Sequence, residues 1–165
     1  MNSVKKFEPV HPFLNRDVIL NLSNGVVETI ETMAGVKSTF DKPFVEKNWK
    51  PTNDISVFLN LNSSLFKGRI YFHFNKLALV HLYEKIMGET VDADSVEIID
   101  CLGEISNICY GFAKAKLNDK GLKFQMSIPQ PCKTVDLEPI ESSKPHIIIP
   151  LVVHNYACQI QIVIF

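Results

Sequence analysis

The 165-residue chain has almost no excess charge, no long apolar run and no paired cysteines. Lysine and arginine number 17 against 18 aspartates and glutamates, for a net charge of −1. Such a surface offers no general attraction to nucleic acid or to an anionic membrane, so neither is expected as a partner. The longest apolar stretches, such as Ile147–Val153, are only strand length and contain Pro150, so no transmembrane helix is expected. The opening residues, Met1 to Phe13, include Lys5, Lys6 and Glu8 and lack an apolar core. No export signal is therefore expected, and a cytoplasmic location is.

The four cysteines (Cys101, Cys109, Cys132 and Cys158) form no C-x-x-C pair, and the five histidines at 11, 73, 81, 146 and 154 are scattered. The cysteines are expected to be reduced, buried, small hydrophobes, and no metal site is expected. In that setting the sequons Asn21-Leu22-Ser23 and Asn62-Ser63-Ser64 carry no meaning. What the chain does have is 46% hydrophobic residues, enough at this length for a substantial core. Length alone predicts one domain over residues 1–165.

The spacing predicts a first helix over about Asn15–Met33, with Asn15 as N-cap. Val18, Leu22, Val26, Ile30 and Met33 lie on one stripe, and Gly35 takes the left-handed position past the end. Short, ambiguous strands follow at Val36–Phe40 and Phe44–Glu46. A hairpin is predicted from Asp54–Asn62 and Phe66–Phe74, with Leu61–Ser64 as its turn. Its second strand places Ile70, Phe72 and Phe74 on one face and Arg69, Tyr71 and His73 on the other; His73 and His81 are expected at or near the surface.

A second helix, capped by Asn75 and ended by Gly88, carries Leu79, Leu82, Tyr83 and Ile86 inward. A third runs from about Ser95 to Asn118. A strand is predicted near Cys132–Asp136 and a loop over Glu138–Pro145. Two strongly apolar strands close the chain, His146–Val153 and Tyr156–Phe165, with Asn155 supplying a positive φ in the turn. Pro150 points to an edge or a bulge. The order predicts an α+β fold: an antiparallel-rich sheet with long helices packed on one face, in two weakly repeated halves. Ile147 to Ile149 is apolar on both faces, which places that strand inside a sheet or at a subunit interface, and the terminal strands are expected to build a homodimer by sheet extension or strand exchange.

On the third helix, Ile98, Leu102, Ile105, Cys109, Phe112 and Lys116 recur at spacings of four and three, and their apolar members form an inward stripe, with Ile108 beside it. A second stripe carries Asp100, Glu104, Asn107, Gly111 and Lys114, with Gly103 alongside. Glu104 and Asn107 are neighbours at i and i+3. Gly103 and Gly111 weaken a helix but leave room for close approach. From the residues alone two readings stand. One is a solvated polar face whose glycines admit packing against the first helix. The other is a docking surface.

The segment Asp100-Cys-Leu-Gly-Glu104-Ile-Ser-Asn107-Ile-Cys-Tyr-Gly111 resembles the D-x-x-x-E-x-x-N-x-x-x-G motif of the CheC/CheX/FliY family of chemotaxis phosphatases. The opening His11-Pro12-Phe13-Leu14, the length and the element order are similar to CheX, which carries the motif once. In the comparable place the first helix has Asn21-Leu-Ser-Asn24-Gly25, with Asn21 where a second motif would have glutamate; this fits a single active face.

The resemblance implies a substrate, the phospho-aspartate of a CheY-like response regulator. That receiver brings its own Mg²⁺ and lysine, so no cofactor of this chain's own is expected. Glu104 would bind the receiver's lysine and Asn107 would hold the attacking water. Asp100, Gly103, Gly111 and Lys114 would meet the partner. The alternative within the same resemblance is a non-catalytic receiver-binding or flagellar-switch-type module. Outside it stands a purely structural domain with a solvated helix face.

Overall fold

In the computed structural model, residues 15–64, 67–125, 127–133 and 145–165 are described. The elements run α1 (Arg16–Ala34), β1 (Ser38–Phe40), β2 (Phe44–Glu46), β3 (Ile55–Asn62), β4 (Lys67–Phe74), α2 (Lys76–Met87), α3 (Val96–Asp119), β5 (Gln130–Lys133), β6 (His146–Val153) and β7 (Tyr156–Ile164). Local chemistry sets the helix ends. The Asn15 and Asn75 side chains accept from the backbone N–H groups of Asp17 and Leu77, at 2.9 and 2.8 Å. Gly35 and Gly88 end α1 and α2 at φ 62° and 74°.

All strand pairings are antiparallel, in the order β1-β6-β7-β4-β3-β5, with β2 pairing β6 beyond β1. This order exposes the repeat expected from the sequence. Exchanging β1/β2 with β5, β3 with β6 and β4 with β7 reads the sheet backwards unchanged. Each half is a long helix, an edge piece and a hairpin, and each edge piece pairs with the other half's hairpin. One layer of the core crosses the whole sheet: Val57 opposite Phe72, Phe72 opposite Ile160, and Ile160 opposite Ile149. These four join one core cluster with Leu22, Val26 and Ile30 of α1, Leu79 and Leu82 of α2, and Leu102 and Ile105 of α3.

Several expectations need correction. β6 takes the inside-the-sheet alternative and β7 lies beside it, so neither terminal strand offers a free edge for extension across a dimer. Pro150 is therefore interior. β1 covers residues 151–153 and β2 covers 146–148, which leaves Pro150 opposite the break between them. Its carbonyl accepts from Asp41 N–H at 3.0 Å on that side, and its missing donor falls in the gap. In the β6–β7 turn the left-handed residue is His154 (φ 58°), not Asn155.

β3 runs through Asn62, so its turn starts later than Leu61. β5 starts at Gln130 rather than Cys132, with Pro131 tolerated because β5, among the described residues, is an edge strand paired only with β3. The inward stripe of α3 continues to Ala113 and Leu117, while Phe112 is exposed. Over 24 residues a helix of 3.6 residues per turn drifts away from a four-three alternation. Residues 11–14, Phe66 and the 134–144 part of the predicted strand and loop lie outside the described residues.

The sheet face away from the helices is also buried at its centre. His73, expected near the surface, is 0% exposed, and Trp49 lies against its ring with centroids 5.7 Å apart. A polar chain crosses four strands there. Ser56 Oγ lies 2.6 Å from His73 Nδ1, His73 Nε2 lies 2.9 Å from Gln161 Oε1, and Gln161 Nε2 lies 2.9 Å from His146 Nδ1. An amide oxygen only accepts, so His73 donates from Nε2 and accepts the hydrogen bond of the Ser56 hydroxyl at Nδ1. Both imidazoles are then neutral. Burial pushes the His73 pKa down to about 4 and lowers that of His146.

This arrangement gives a testable pH dependence. In the unfolded chain His73 takes a proton near its ordinary value of about 6.5, while the native state does not until about 4. Stability is full above that upper value and falls as pH drops through the window between the two, by roughly 3 kcal/mol for this group. Urea unfolding at pH 7.5 and pH 4.5 checks it; equal stabilities at the two pH values would remove the claim.

Candidate functional site

The site is built on α3 and on the chain that returns beside it. Ile98, Leu102, Ile105 and Cys109 face the core and so turn the opposite stripe outward. Asp100, Glu104, Asn107 and Gly111 are exposed; Gly103 and Lys114 are half-buried. Glu104 and Asn107 sit one turn apart on a rigid element. Among the described residues neither has a side-chain hydrogen bond or an ion pair, so both are available to a second molecule. A methyl group placed on Gly103 or Gly111 would meet nothing within 4 Å. These glycines are therefore not spacers for packing within the chain. The glycine facing a neighbouring helix is Gly25 of α1, whose added methyl would lie 3.5 Å from Phe112 Cβ. Asn21 and Asn24 are exposed on α1.

A groove of about 340 Å³ runs beside the Glu104–Asn107 pair. One wall is α3, with Ile99, Asp100, Gly103, Glu104 and Asn107; the other is Ile128, Pro129 and Pro131. That second wall is pinned from several sides. The Tyr110 hydroxyl donates to Gln125 O at 2.9 Å, Gln125 N–H donates to Asn62 O at 2.9 Å, and Asn60 N–H donates to Ser127 Oγ at 2.9 Å. Ile128 is held in the open at 81% exposure. Sequence reasoning missed this wall. The proline-interrupted piece was visible, but its place opposite Asn107 depends on these long-range bonds.

Nucleophilic thiol chemistry is not poised here. Burial pushes the Cys101 thiol up to about 11 and those of Cys109 and Cys158 up to about 12, so they are protonated at neutral pH. Among the described residues no group of three or more His, Cys, Asp and Glu side chains is placed to hold a metal ion. Among them, too, no helix is long and apolar enough to cross a membrane. The chemistry on offer is one carboxylate that accepts and one amide that both donates and accepts, next to open space.

The family model for the chemotaxis phosphatase CheX matches residues 55–152, more than half of the chain and including all of α3. No protein of curated function matches the sequence. Among solved structures, a CheC-like superfamily protein from Shewanella sp. PV-4 is 25% identical with a TM-score of 0.81, over 92% of this chain and 99% of that one. The chemotaxis protein CheX from Vibrio vulnificus is 22% identical with a TM-score of 0.79, over 90% and 99%. The CheX of a CheX–CheY–BeF₃–Mg²⁺ complex from Borrelia burgdorferi is 20% identical with a TM-score of 0.74, over 91% and 99%. The repeated α+β architecture is thus shared along nearly the whole length of each, and the family match falls on the helix that carries the exposed acid and amide: this chain belongs to the CheX family of chemotaxis phosphatases.

Proposed function

We propose that this chain, acting as one domain over residues 1–165, accelerates loss of phosphate from the phospho-aspartate of a CheY-like response regulator. The observation that carries the reading is the Glu104–Asn107 pair, exposed, rigidly held, without partners among the described residues and flanked by two glycines facing open space. The Borrelia relative crystallised with CheY, BeF₃ and Mg²⁺ supports the choice of partner.

The reaction asks little of a helper. Water attacks phosphorus, the bond from phosphorus to the aspartate oxygen breaks, and the carboxylate leaves with the electron pair. The products are that carboxylate and inorganic phosphate carrying the water oxygen. The receiver supplies Mg²⁺ and a lysine to balance charge on the phosphoryl oxygens. What remains is positioning. Asn107 accepts a hydrogen bond from the water at its amide oxygen and so holds the water in line. Glu104 receives the receiver's lysine in a charge-assisted bond and fixes the docking register. Asp100, Gly103, Gly111 and Lys114 form the surrounding contact.

Phosphate release from a phosphorylated receiver of the same genome tests this. Asn107→Ala is expected to lower kcat by about 10²-fold or more with little change in KM, as for loss of one preorganised hydrogen-bonding group. Glu104→Ala is expected to raise KM, by roughly 10- to 150-fold if the lost contact is worth about 1.5–3 kcal/mol. A wild-type protein that binds a receiver without speeding its dephosphorylation would leave the non-catalytic reading instead.

The glycines give an independent check. Gly103→Ala should stabilise the fold by about 0.5–1 kcal/mol, because the methyl meets nothing and helix propensity improves. The same change should weaken receiver binding, because the methyl stands in the groove. A variant both destabilised and fully active would contradict both halves of that argument.

We also propose a homodimer formed by sheet extension, placed at the β1–β2 edge, where Phe44 and Val45 are exposed. Val45→Lys should then convert a dimer to a monomer in sedimentation experiments; a wild-type monomer at all concentrations would end the proposal.

A further inference from the structure

The exposed face of α3 continues past Glu104 onto a second depression, on the side away from Ile128. It is about 310 Å³ and lies where α1 and the last turns of α2 meet α3. Its floor and walls are apolar, formed by Met33, Tyr83, Ile86, Met87 and Cys101. Its rim is acidic, formed by Glu97, Asp100 and Glu104. Met87 stands at the mouth, 58% exposed.

Two features argue that a second molecule covers this place. First, Glu97, Asp100 and Glu104 are spaced three and four apart, so they stack along one stripe of α3. Like charges at these spacings repel. None of the three has a cationic partner among the described residues, where the ion pair formed is between Lys76 and Asp94, elsewhere on the surface. An apolar floor inside an uncompensated acidic rim fits an apolar side chain flanked by cations. Second, Glu104 and Asp100 line both depressions. Glu97 and Glu104 are two helical turns apart, about 10 Å along the axis. A protein bound over Glu104 and Asn107 with an ordinary footprint of about 800 Å² per partner reaches both.

We propose that this depression is a second contact for the receiver, taking one of its apolar side chains next to a lysine or arginine, and that it sets which receivers bind. The inference rests on the phosphatase reading above and adds a specificity site to it. Asn107 acts on the water; Met87, Ile86 and Glu97 act on affinity alone.

Steady-state phosphate release from a phosphorylated receiver separates these roles. Met87→Asp, an exposed change, should raise KM about tenfold, as burial of one apolar side chain is replaced by a buried charge, with kcat kept. Met87→Leu should restore the wild-type KM. Glu97→Lys, on an exposed side chain, should raise KM as well and reduce its salt dependence, which keeps the test decisive if Met87→Asp misfolds.

If wild type dephosphorylates the receiver, Asn107→Ala does not, and both Met87→Asp and Glu97→Lys keep the wild-type KM, the second contact is overturned while the mechanism stands. If wild type accelerates no receiver, the phosphatase reading falls and takes this inference with it. If Met87→Asp turns a dimer into a monomer in sedimentation with KM unchanged, the occupant is a second copy of the chain and the receiver assignment is overturned.

Discussion

The antiparallel ladder between β4 and β7 joins the two halves of the chain, and the rest of the structure is arranged around it. Residues 68–73 pair with 159–164, so the hairpin of the first half and that of the second become one sheet. The approach is close at Gly68, where an added methyl would collide with the Val163 carbonyl, so a glycine is required there. Without this ladder the two hairpins would be joined within the sheet only through the short edge strands β1, β2 and β5. With it, the layer from Val57 to Ile149 spans both halves and supports the three helices together.

From that frame the site follows by orientation. α3 packs on α1 and over β3 and β4, and its inward stripe is long enough to fix its rotation about its own axis. Glu104 and Asn107 are presented outward as a consequence. Their precision comes from core packing on the far side of the same helix, so the pair needs no internal hydrogen bond to hold it. A side chain tied up inside the chain would have to exchange that bond for one to a partner. Here that exchange is not required, which suits a surface meant to meet a group carried by another molecule.

The opposite face of the sheet shows the reverse strategy. Ser56, His73, Gln161 and His146 satisfy one another across four strands. The network ends on an imidazole nitrogen, His146 Nε2, that is buried without a partner among the described residues. The bonded members of such a network cost little while their hydrogen bonds hold and become costly when the protonation state changes. The helix face carries recognition and tolerates exposure; the far face carries a neutral polar network that depends on burial.

The sequence by itself determined the three helices, the side-chain caps of α1 and α2, most of the strand-forming segments and the exposed stripe with Asp100, Glu104 and Asn107. These are local matters: a cap is a contact over two residues, and periodicity says which side of an element is apolar. Tertiary structure alone decided which element covers that side. It put β6 and β7 in the centre of the sheet rather than at an edge, and it placed Pro150 opposite a break in its neighbour strand. It buried His73 from a face whose alternation reads as outward. It also brought Ile128 and Pro131 up to one side of Glu104 and Met33 and Met87 to the other. Each of these depends on pairing between residues far apart in the chain, and neither spacing nor composition encodes which partner is chosen.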